Sequence, residues 1–377
     1  MKVPFNALDQ QHTAIMHELL EAVSRVIRSG TFIVGGELEH FEKRFAAYHN
    51  RQYAIGLNSG TDALILSLRA LDIGPGDEVI TTGNSFITTV SSIVLVGATP
   101  VLIDIADDDN IDANKIVAAI TPRTKAILPV HWMGRPAQMD LICSIAQAYN
   151  LEIVEDCAQA ISATFNHQLI GTFGTCGAFS LHPFKTLGAC GDAGVVITDD
   201  VAIAERLKRL RHNGLSMQGV CDEWSNNSRL DEMQAAILNV KFNYFEAWTR
   251  RRLEIAHYYD EHLGDIFNLV LPKPNDQTYQ SVYHTYIIKT PYREELRRYL
   301  FEQGIETRIH YGTPIHKQPA MKRMISLPKI EKMSEEIVSL PIYPELTDAQ
   351  LAYIVESIKS FYVKKSSESL CKYPIHT

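Results

Sequence analysis

The chain has 377 residues, of which 46% are hydrophobic, and a formal net charge of −8 at pH 7. This length allows two domain cores, and the acidic balance argues against a nucleic-acid binder, whose affinity comes from clustered Lys and Arg. No stretch approaches the roughly 20 apolar residues that span a bilayer, and the first residues lack the apolar segment of a signal peptide, so we expect a cytoplasmic protein that does not enter a membrane. Six cysteines without ligand spacing predict reduced thiols and no metal site.

The first half of the chain alternates short apolar runs with helical stretches. Apolar spacing predicts a helix over 11–29 that ends at Gly30, then a turn at Gly35 and Gly36 before a second helix. Strands are predicted at 53–57, 78–81, 100–105, 126–130 and 151–154, with helices between them. This alternation predicts an α/β fold with a largely parallel sheet covered on both faces, in which sites form beyond the carboxyl ends of the strands.

The second half changes character after a long helical run. A strand at 195–198 and a helix at 201–211 precede a helical run over 229–262. Beyond it, a strand at 283–289 and helices at 293–303 and 348–362 predict an α+β region. We therefore expect a large domain at 1–250 and a small C-terminal domain at 251–377, with a loosely ordered polar tail from Lys364 onwards.

The first candidate site follows the strand at 53–57. Asn58 to Asp62 place a glycine and a hydroxyl residue at the start of a helix. Free backbone N–H groups and the positive end of the helix dipole make such a position suitable for phosphate. An ordinary N-cap at Ser59 or Thr61 explains the same residues equally well.

The second candidate is the pair Glu155 and Asp156, at the end of the strand predicted over 151–154. Successive side chains of a strand point to opposite faces, so only one of the two can face a given ligand. An aspartate in this position can hold a protonated ring nitrogen through a charge-assisted hydrogen bond. The alternative is a turn residue at the end of the strand.

The third candidate is Lys185, in the segment FSLHPFKTLGACGDAG that connects two predicted strands. A lysine that attacks a carbonyl or imine must be partly unprotonated, which burial or neighbouring positive charge can arrange. A single exposed lysine is the competing interpretation. Gly188, Gly191 and Gly194 precede a strand and open no helix, so they are not a dinucleotide fingerprint.

A phosphate-binding helix start, a strand-end aspartate and a downstream lysine are the parts that pyridoxal 5′-phosphate requires. The chain resembles the DegT/DnrJ/EryC1/StrS family of pyridoxal-phosphate sugar aminotransferases, of fold type I. The resemblance is carried by collinear blocks: SGTDAL (59–64), GPGDEVI (74–80), PVHWMG (129–134), EDCAQA (155–160), FSLHPFKTLGACGDAG (179–194), NNSRLDEMQAAIL (226–238), YHTY (283–286) and IHYGTPIHKQPA (309–320). It implies a large domain with a mostly parallel seven-stranded sheet flanked by helices, and a smaller C-terminal α+β domain.

The resemblance also implies roles for individual residues. Lys185 would form the Schiff base with the cofactor and later move a proton, Asp156 would pair with the pyridine nitrogen, and Gln159 would approach the ring hydroxyl. Asn227 would reach the phosphate in the neighbouring subunit, which implies a homodimer with shared active sites. The remaining implied cofactor contacts are the phosphate-binding Gly60, Thr61 and Ser180 and the ring-stacking Phe86.

His310, Tyr311 and His316 would border the substrate pocket, again by resemblance. From the residues alone, a metal site at His310 and His316 lacks a third ligand at a suitable spacing, so we expect none.

The activity implied by the resemblance is the transfer of an amino group from L-glutamate to a nucleotide-linked keto-sugar, dTDP- or UDP-linked, for glycan or surface polysaccharide biosynthesis such as lipopolysaccharide O-antigen. LGACGDAG is similar to the pattern of members that aminate C3, which favours a 3-keto substrate. The alternatives are a 4-keto-sugar aminotransferase, a dehydratase of the kind that carries histidine at the lysine position, and a non-catalytic regulator. Lys185 argues against the dehydratase, and the set Lys185, Asp156 and Asn227 argues against the regulator.

Overall fold

A computed structural model describes residues 1–216 and 218–371. The α-helices are α1 (Leu8–Ala14), α2 (Met16–Ser29), α3 (Gly36–Tyr48), α4 (Gly60–Ala70), α5 (Ile87–Leu95), α6 (Ile116–Ala119), α7 (Met139–Tyr149), α8 (Val201–Leu210), α9 (Glu232–Lys241), α10 (Phe245–Leu263), α11 (Arg293–Glu302), α12 (Pro328–Glu336) and α13 (Asp348–Cys371). The strands are β1 (Tyr53–Leu57), β2 (Glu78–Thr82), β3 (Thr99–Ile103), β4 (Thr124–Leu128), β5 (Glu152–Asp156), β6 (Thr164–Phe165), β7 (Gln168–Leu169), β8 (Cys176–Ser180), β9 (Gly194–Thr198), β10 (Tyr279–Gln280), β11 (Tyr286–Lys289) and β12 (Ile337–Leu340).

The main sheet has seven strands in the order β1-β9-β8-β5-β4-β2-β3. In this order, the neighbouring strands β8, β5, β4, β2 and β3 are parallel to one another, whereas β9 runs antiparallel to both β1 and β8. The expected mostly parallel α/β sheet is therefore confirmed. Two smaller sheets, β10-β6-β7 and β11-β12, accompany it.

Alternate residues of the central strands enter two different apolar clusters. Ile153 and Phe179 pack on one face with helices α3 and α7, while Val154 and Ala178 pack on the other face with helices α4 and α8. Because side chains alternate along a strand, this division shows that helices cover both faces of the sheet. Burial on both faces also explains why β2, β8 and β9 read as nearly continuous apolar or small-residue runs.

A separate apolar cluster gathers residues from α10, α11, α13 and the β11-β12 sheet together with Val3 and Ala7 near the N-terminus. The expected single helical run over 229–262 is wrong, because α9 ends at Lys241 and α10 begins at Phe245. At this break the Arg44 guanidinium donates to the Asn239 carbonyl at 2.8 Å and to Asn243 Oδ1 at 2.7 Å, which satisfies the end of α9. The domain division at residue 250 stays a prediction.

The last helix continues past Tyr362 to Cys371, so the expected loosely ordered tail is wrong as far as that residue, and residues 372–377 lie outside the described part. Two lysines tie the extension to α11. Lys364 lies 4.9 Å from the ring centroid of Tyr299, and Lys365 pairs with Glu295 at 3.5 Å. Over residues 1–216 and 218–371, no helix has the length and apolar character needed to cross a membrane.

Candidate active site

The N-terminus of α4 meets the end of β8. Ser59 caps the helix, since its Oγ accepts from the Asp62 N–H at 3.1 Å, so the N-cap interpretation holds. A Cβ on Gly60 would lie 2.6 Å from the Ser180 Cβ, which only glycine avoids. The close approach places Gly60, Thr61 and Ser180 together on the wall of one cavity.

That cavity, which we call the first cavity, has a volume of about 400 Å³ and lies beyond the carboxyl ends of the strands. The structure brings most of the predicted site residues to it. Those that line it are Gly60, Thr61, Phe86, Asp156, Gln159, Ser180, Lys185, His310 and Tyr311. Asn227 and His316 are not among its lining residues.

Lys185 lies in the loop between β8 and β9, which folds back tightly on itself. The Lys185 N–H donates to the His182 carbonyl at 2.8 Å, and a Cβ on Gly188 would lie 2.5 Å from the Pro183 carbonyl oxygen. Burial lowers the pKa of the Lys185 amine to about 8, and the nearby Asp156 carboxylate opposes that shift. A fraction of the amine is therefore unprotonated near neutral pH.

Asp156 ends β5 and is only 4% exposed. Its Oδ2 accepts from the Thr89 hydroxyl at 2.7 Å and its Oδ1 accepts from the Ala158 N–H at 3.2 Å. Burial raises the pKa of the carboxyl group, while the Thr89 hydrogen bond and the positive charge of Lys185 act in the opposite direction. The carboxylate is thus held in a fixed orientation at the cavity wall.

Glu155 points away from this cavity, as the strand alternation requires, and has a structural role. Its carboxylate faces His131 Nε2 at 3.2 Å. It also accepts from the backbone N–H groups of Gly171, Phe173 and Gly174, at 2.7 to 2.8 Å. His131, Glu155 and Cys157 bring ligand-type atoms within 4.8 Å of one another. His131 Nδ1 accepts from the Ala137 N–H at 3.0 Å, so both ring nitrogens have partners, and we assign the cluster to loop anchoring.

Aromatic rings and Gln159 form a further wall of the first cavity. Gln159 Oε1 accepts from the Met133 N–H at 2.8 Å, and its side chain also hydrogen-bonds to Tyr311. The Tyr311 ring lies 5.5 Å from that of Phe86 and 5.7 Å from that of Trp132, measured between centroids. Burial raises the pKa of the Tyr311 hydroxyl to about 12, so this residue is a neutral hydrogen-bonding group.

Three histidines line the first cavity, and sequence reasoning gave a role only to His310. His310 Nδ1 lies 2.8 Å from the Ser339 Oγ, and burial lowers its pKa to about 4. Burial, followed by the charge of Lys185, also lowers the pKa of His182 and of His284. In the sequence, His182 stands in the block SLHPFK and His284 in the block YHTY. Neither block indicates that these two histidines lie in the same cavity as Lys185.

Two predicted site residues lie elsewhere. Asn227 is exposed and forms a backbone bridge with His212. Its predicted role at the phosphate of a neighbouring subunit stays a prediction. His316 is buried in a short 3₁₀ turn, where its Nε2 lies 3.1 Å from Glu331 Oε1. The geometry of a single chain therefore offers no support for its predicted contact with substrate.

Comparisons with known proteins identify the family of the chain. A family model described as the DegT/DnrJ/EryC1/StrS aminotransferase family matches residues 13–359. The transaminase of Aneurinibacillus thermoaerophilus named for dTDP-3-amino-3,6-dideoxy-alpha-D-galactopyranose is 42% identical, covering 95% of this chain and 99% of that protein. A protein of Geobacillus stearothermophilus named pleiotropic regulatory protein is also 42% identical, covering 96% and 99%.

Among solved structures, the crystal structure of S. venezuelae DesV in complex with a ketimine intermediate superposes with a TM-score of 0.93. It is 39% identical to this chain and the match covers 96% of this chain and 98% of that one. Sequence and fold agree over nearly the full length, which confirms the resemblance. The chain belongs to the DegT/DnrJ/EryC1/StrS aminotransferase family.

Proposed function

We propose that the protein is a pyridoxal-phosphate-dependent aminotransferase that moves an amino group from L-glutamate to a nucleotide-linked 3-keto-sugar. The observation that carries the proposal is that the Lys185 amine and the Asp156 carboxylate face the same cavity. Its reaction class follows from the family, and the name of the Aneurinibacillus relative supports a 3-amino product. Either dTDP or UDP fits the proposal.

The residues of the first cavity fit pyridoxal phosphate. The absence of a side chain at Gly60 lets Ser180 approach the start of α4, and Gly60, Thr61 and Ser180, which line the cavity there, would hold the phosphate. The Asp156 carboxylate, oriented by Thr89, would hold the pyridine nitrogen, while Gln159 would approach the ring hydroxyl and Phe86 the ring face. When bound, the cofactor supplies an electron sink for the carbanion formed at the donor Cα.

The remaining chemistry is carried by this chain's own side chains. The Lys185 amine, with its lowered pKa, would take the proton from the donor Cα and later deliver it from the same face of the bound cofactor. Asp156 would keep the ring nitrogen protonated through a charge-assisted hydrogen bond. The surrounding histidines have lowered pKa values and remain neutral at pH 7, so they do not compete with Lys185 as cations.

Assembly and location complete the proposal. We propose a homodimer in which Asn227 of each chain reaches the phosphate bound by the other, and the exposure of Asn227 leaves it accessible for that contact. Exposed apolar side chains at Phe32, Ile33 and Val34 are suited to an interface between chains. The division into domains at 1–250 and 251–377 and a cytoplasmic location belong to the same proposal.

The lowered pKa of Lys185 predicts how the cofactor-free protein takes up pyridoxal phosphate at different pH values. Only the unprotonated amine is a nucleophile, so the uptake rate should rise about tenfold per pH unit below pH 8 and level off above it. The visible absorption of the protein after mixing gives the rate. A rate that keeps rising to pH 10 would show that Lys185 retains the pKa of an exposed lysine.

The function is tested by supplying the loaded enzyme with L-glutamate and dTDP- or UDP-linked 3-keto- and 4-keto-sugars, with mass detection of the products. We expect an amino-sugar from a 3-keto substrate. Amination of the 4-keto-sugar alone would contradict the proposed 3-keto substrate and indicate a 4-keto-sugar aminotransferase. Loss of a hydroxyl group without amination would indicate a dehydratase. Failure to bind pyridoxal phosphate would favour the regulator, the function that the Geobacillus relative's name describes.

A further inference from the structure

A second cavity of about 260 Å³ adjoins the first one. Four residues line both cavities, namely Phe184, Lys185, His284 and His310. Lys185 therefore belongs to the walls of both cavities, whereas Gly60, Thr61 and Ser180 of the proposed phosphate site line only the first. Its other walls come from the N-terminal segment 5–8, from α10 and from the segment after β12.

Arg252 of α10 is the notable side chain in the second cavity. It is 8% exposed, and its Nη1 donates to the Ile342 carbonyl at 2.8 Å and, more weakly, to the His284 carbonyl at 3.4 Å. Its Nε is buried and has no hydrogen-bond partner. Burial lowers the pKa of the guanidinium to about 10, so it remains a cation at neutral pH.

This buried cation forms no salt bridge with a carboxylate of the described residues. The hydrogen bonds that it donates go to two backbone carbonyl oxygens. Glu345 lines the same cavity, and its negative charge opposes the lowering of the Arg252 pKa by burial, but Gln11 Nε2 donates to its Oε1 at 3.1 Å. A buried charge without a salt-bridge partner is costly to the folded protein, and the cost is offset when a ligand supplies the opposite charge at hydrogen-bonding distance.

A second arginine stands at the rim of the same cavity. The side chain of Arg308 is 59% exposed, and its guanidinium lies 5.8 Å from the centroid of the Phe5 ring. Its nearest carboxylate is that of Glu306, at 3.9 Å. Arg308 can therefore turn towards an anion that enters the cavity, whereas Arg252 is fixed in its floor.

We propose that Arg252, assisted by Arg308, binds a carboxylate of the amino donor in the second cavity. The inference rests on the proposed aminotransferase function, because it identifies a subsite for one of the two substrates. A planar guanidinium matches a carboxylate through paired hydrogen bonds. The volume of 260 Å³ is below the roughly 300–1,000 Å³ of sites for drug-sized ligands, which favours a small amino acid over a nucleotide-linked sugar. The shared wall at Lys185 would bring the donor's amine to the reacting centre.

The test measures binding of glutarate, a dicarboxylate without an amine, to the cofactor-free protein by titration calorimetry. We expect Arg252→Gln to weaken glutarate binding at least about tenfold, Arg252→Lys to weaken it less, and Arg308→Gln to weaken it about threefold. Arg44→Gln is the matched control, since Arg44 is bonded to Asn239 and Asn243 outside both cavities and should leave the affinity unchanged.

The enzyme loaded with pyridoxal phosphate distinguishes two anions that could bind in the second cavity. One is a carboxylate of the amino donor, and the other is a phosphate group of the nucleotide-linked sugar. For Arg252→Gln, the L-glutamate concentration that half-saturates cofactor conversion should rise by the same factor as the glutarate dissociation constant, while the half-reaction with the keto-sugar stays within about twofold. A loss confined to the keto-sugar half-reaction would overturn the proposal in favour of a phosphate subsite. Unchanged glutarate affinity in a folded Arg252→Gln protein would also overturn it. If circular dichroism shows that Arg252→Gln does not fold, the glutarate affinity of Arg308→Gln is the test, and an unchanged affinity there would overturn the proposal. Because glutarate binding needs no turnover, failure of the aminotransferase assay leaves this test intact.

Discussion

Replacement of Lys185 by alanine is expected to reduce transamination at least about 10⁴-fold, because one amine supplies both the covalent link to the cofactor and the acid–base step. The lysine faces the first cavity, and burial lowers its pKa to about 8, which suits both tasks. Among the three histidines that line the cavity, lowered pKa values leave weak bases that cannot replace the amine. Turnover is measured as amino-sugar formed from L-glutamate and the keto-sugar.

Lys241→Met is the matched control for this prediction. Lys241 is also a buried lysine, 1% exposed, with Nζ 3.1 Å from His12 Nε2, but it lines neither of the two cavities. We expect the control to keep its activity within about threefold, since most substitutions away from a site act only on stability. Near-normal turnover by Lys185→Ala, or an equal loss in both variants, would contradict the role proposed for Lys185.

The elements of the main sheet were predictable because their sequence signals are local. The strand predicted at 53–57 is β1, and the helix end expected at Gly30 is the end of α2, where that glycine has a left-handed conformation. The single helix predicted over 11–29 is wrong, because α1 ends at Ala14 and α2 begins at Met16. The division between α9 and α10 was not predictable, because the side chain that satisfies the end of α9 comes from Arg44, far away in the chain. The extension of α13 likewise depends on contacts with Tyr299 and Glu295.

The candidate site was predictable to the extent that its residues stand directly after strands. Parallel strands bring their carboxyl ends to one edge, so Gly60 and Asp156 were expected there, and the family resemblance added Ser180; the first cavity contains all three. Thr89 gave no such signal, because a threonine inside a helix usually has no partner of this kind. Arg252 belongs to a run of three arginines in the sequence, and only the structure shows that it is buried and hydrogen-bonded to the Ile342 carbonyl.

The strand alternation has a further consequence for neighbouring carboxylates. Glu155 and Asp156 are adjacent and both buried, yet the structure gives them different surroundings. Glu155 is surrounded by backbone N–H donors that hold the loop at 171–174, whereas Asp156 has two donors and an open side towards the first cavity. Substitutions at the two positions should therefore separate stability from catalysis.

Asp156→Asn is expected to lower kcat by about 10²- to 10³-fold, the usual cost of removing one preorganised electrostatic contact from an active site. Asparagine keeps the shape and can still accept from the Thr89 hydroxyl, but it lacks the negative charge that would keep the ring nitrogen protonated. Thr89→Val should give a smaller loss, about tenfold, because the carboxylate remains and only its orientation is released. Turnover by each purified variant at saturating cofactor measures both effects.

Glu155→Gln provides the comparison that makes the Asp156 result specific. It removes a buried charge one residue away, so the melting temperature should fall while kcat per folded molecule stays within a few-fold of the wild-type value. If Asp156→Asn and Glu155→Gln lose kcat equally, the loss reflects disturbance of β5 and not the charge facing the cavity. If Asp156→Asn keeps wild-type kcat, the ring nitrogen needs no carboxylate. The role proposed for Asp156, which is to keep that nitrogen protonated, is then wrong.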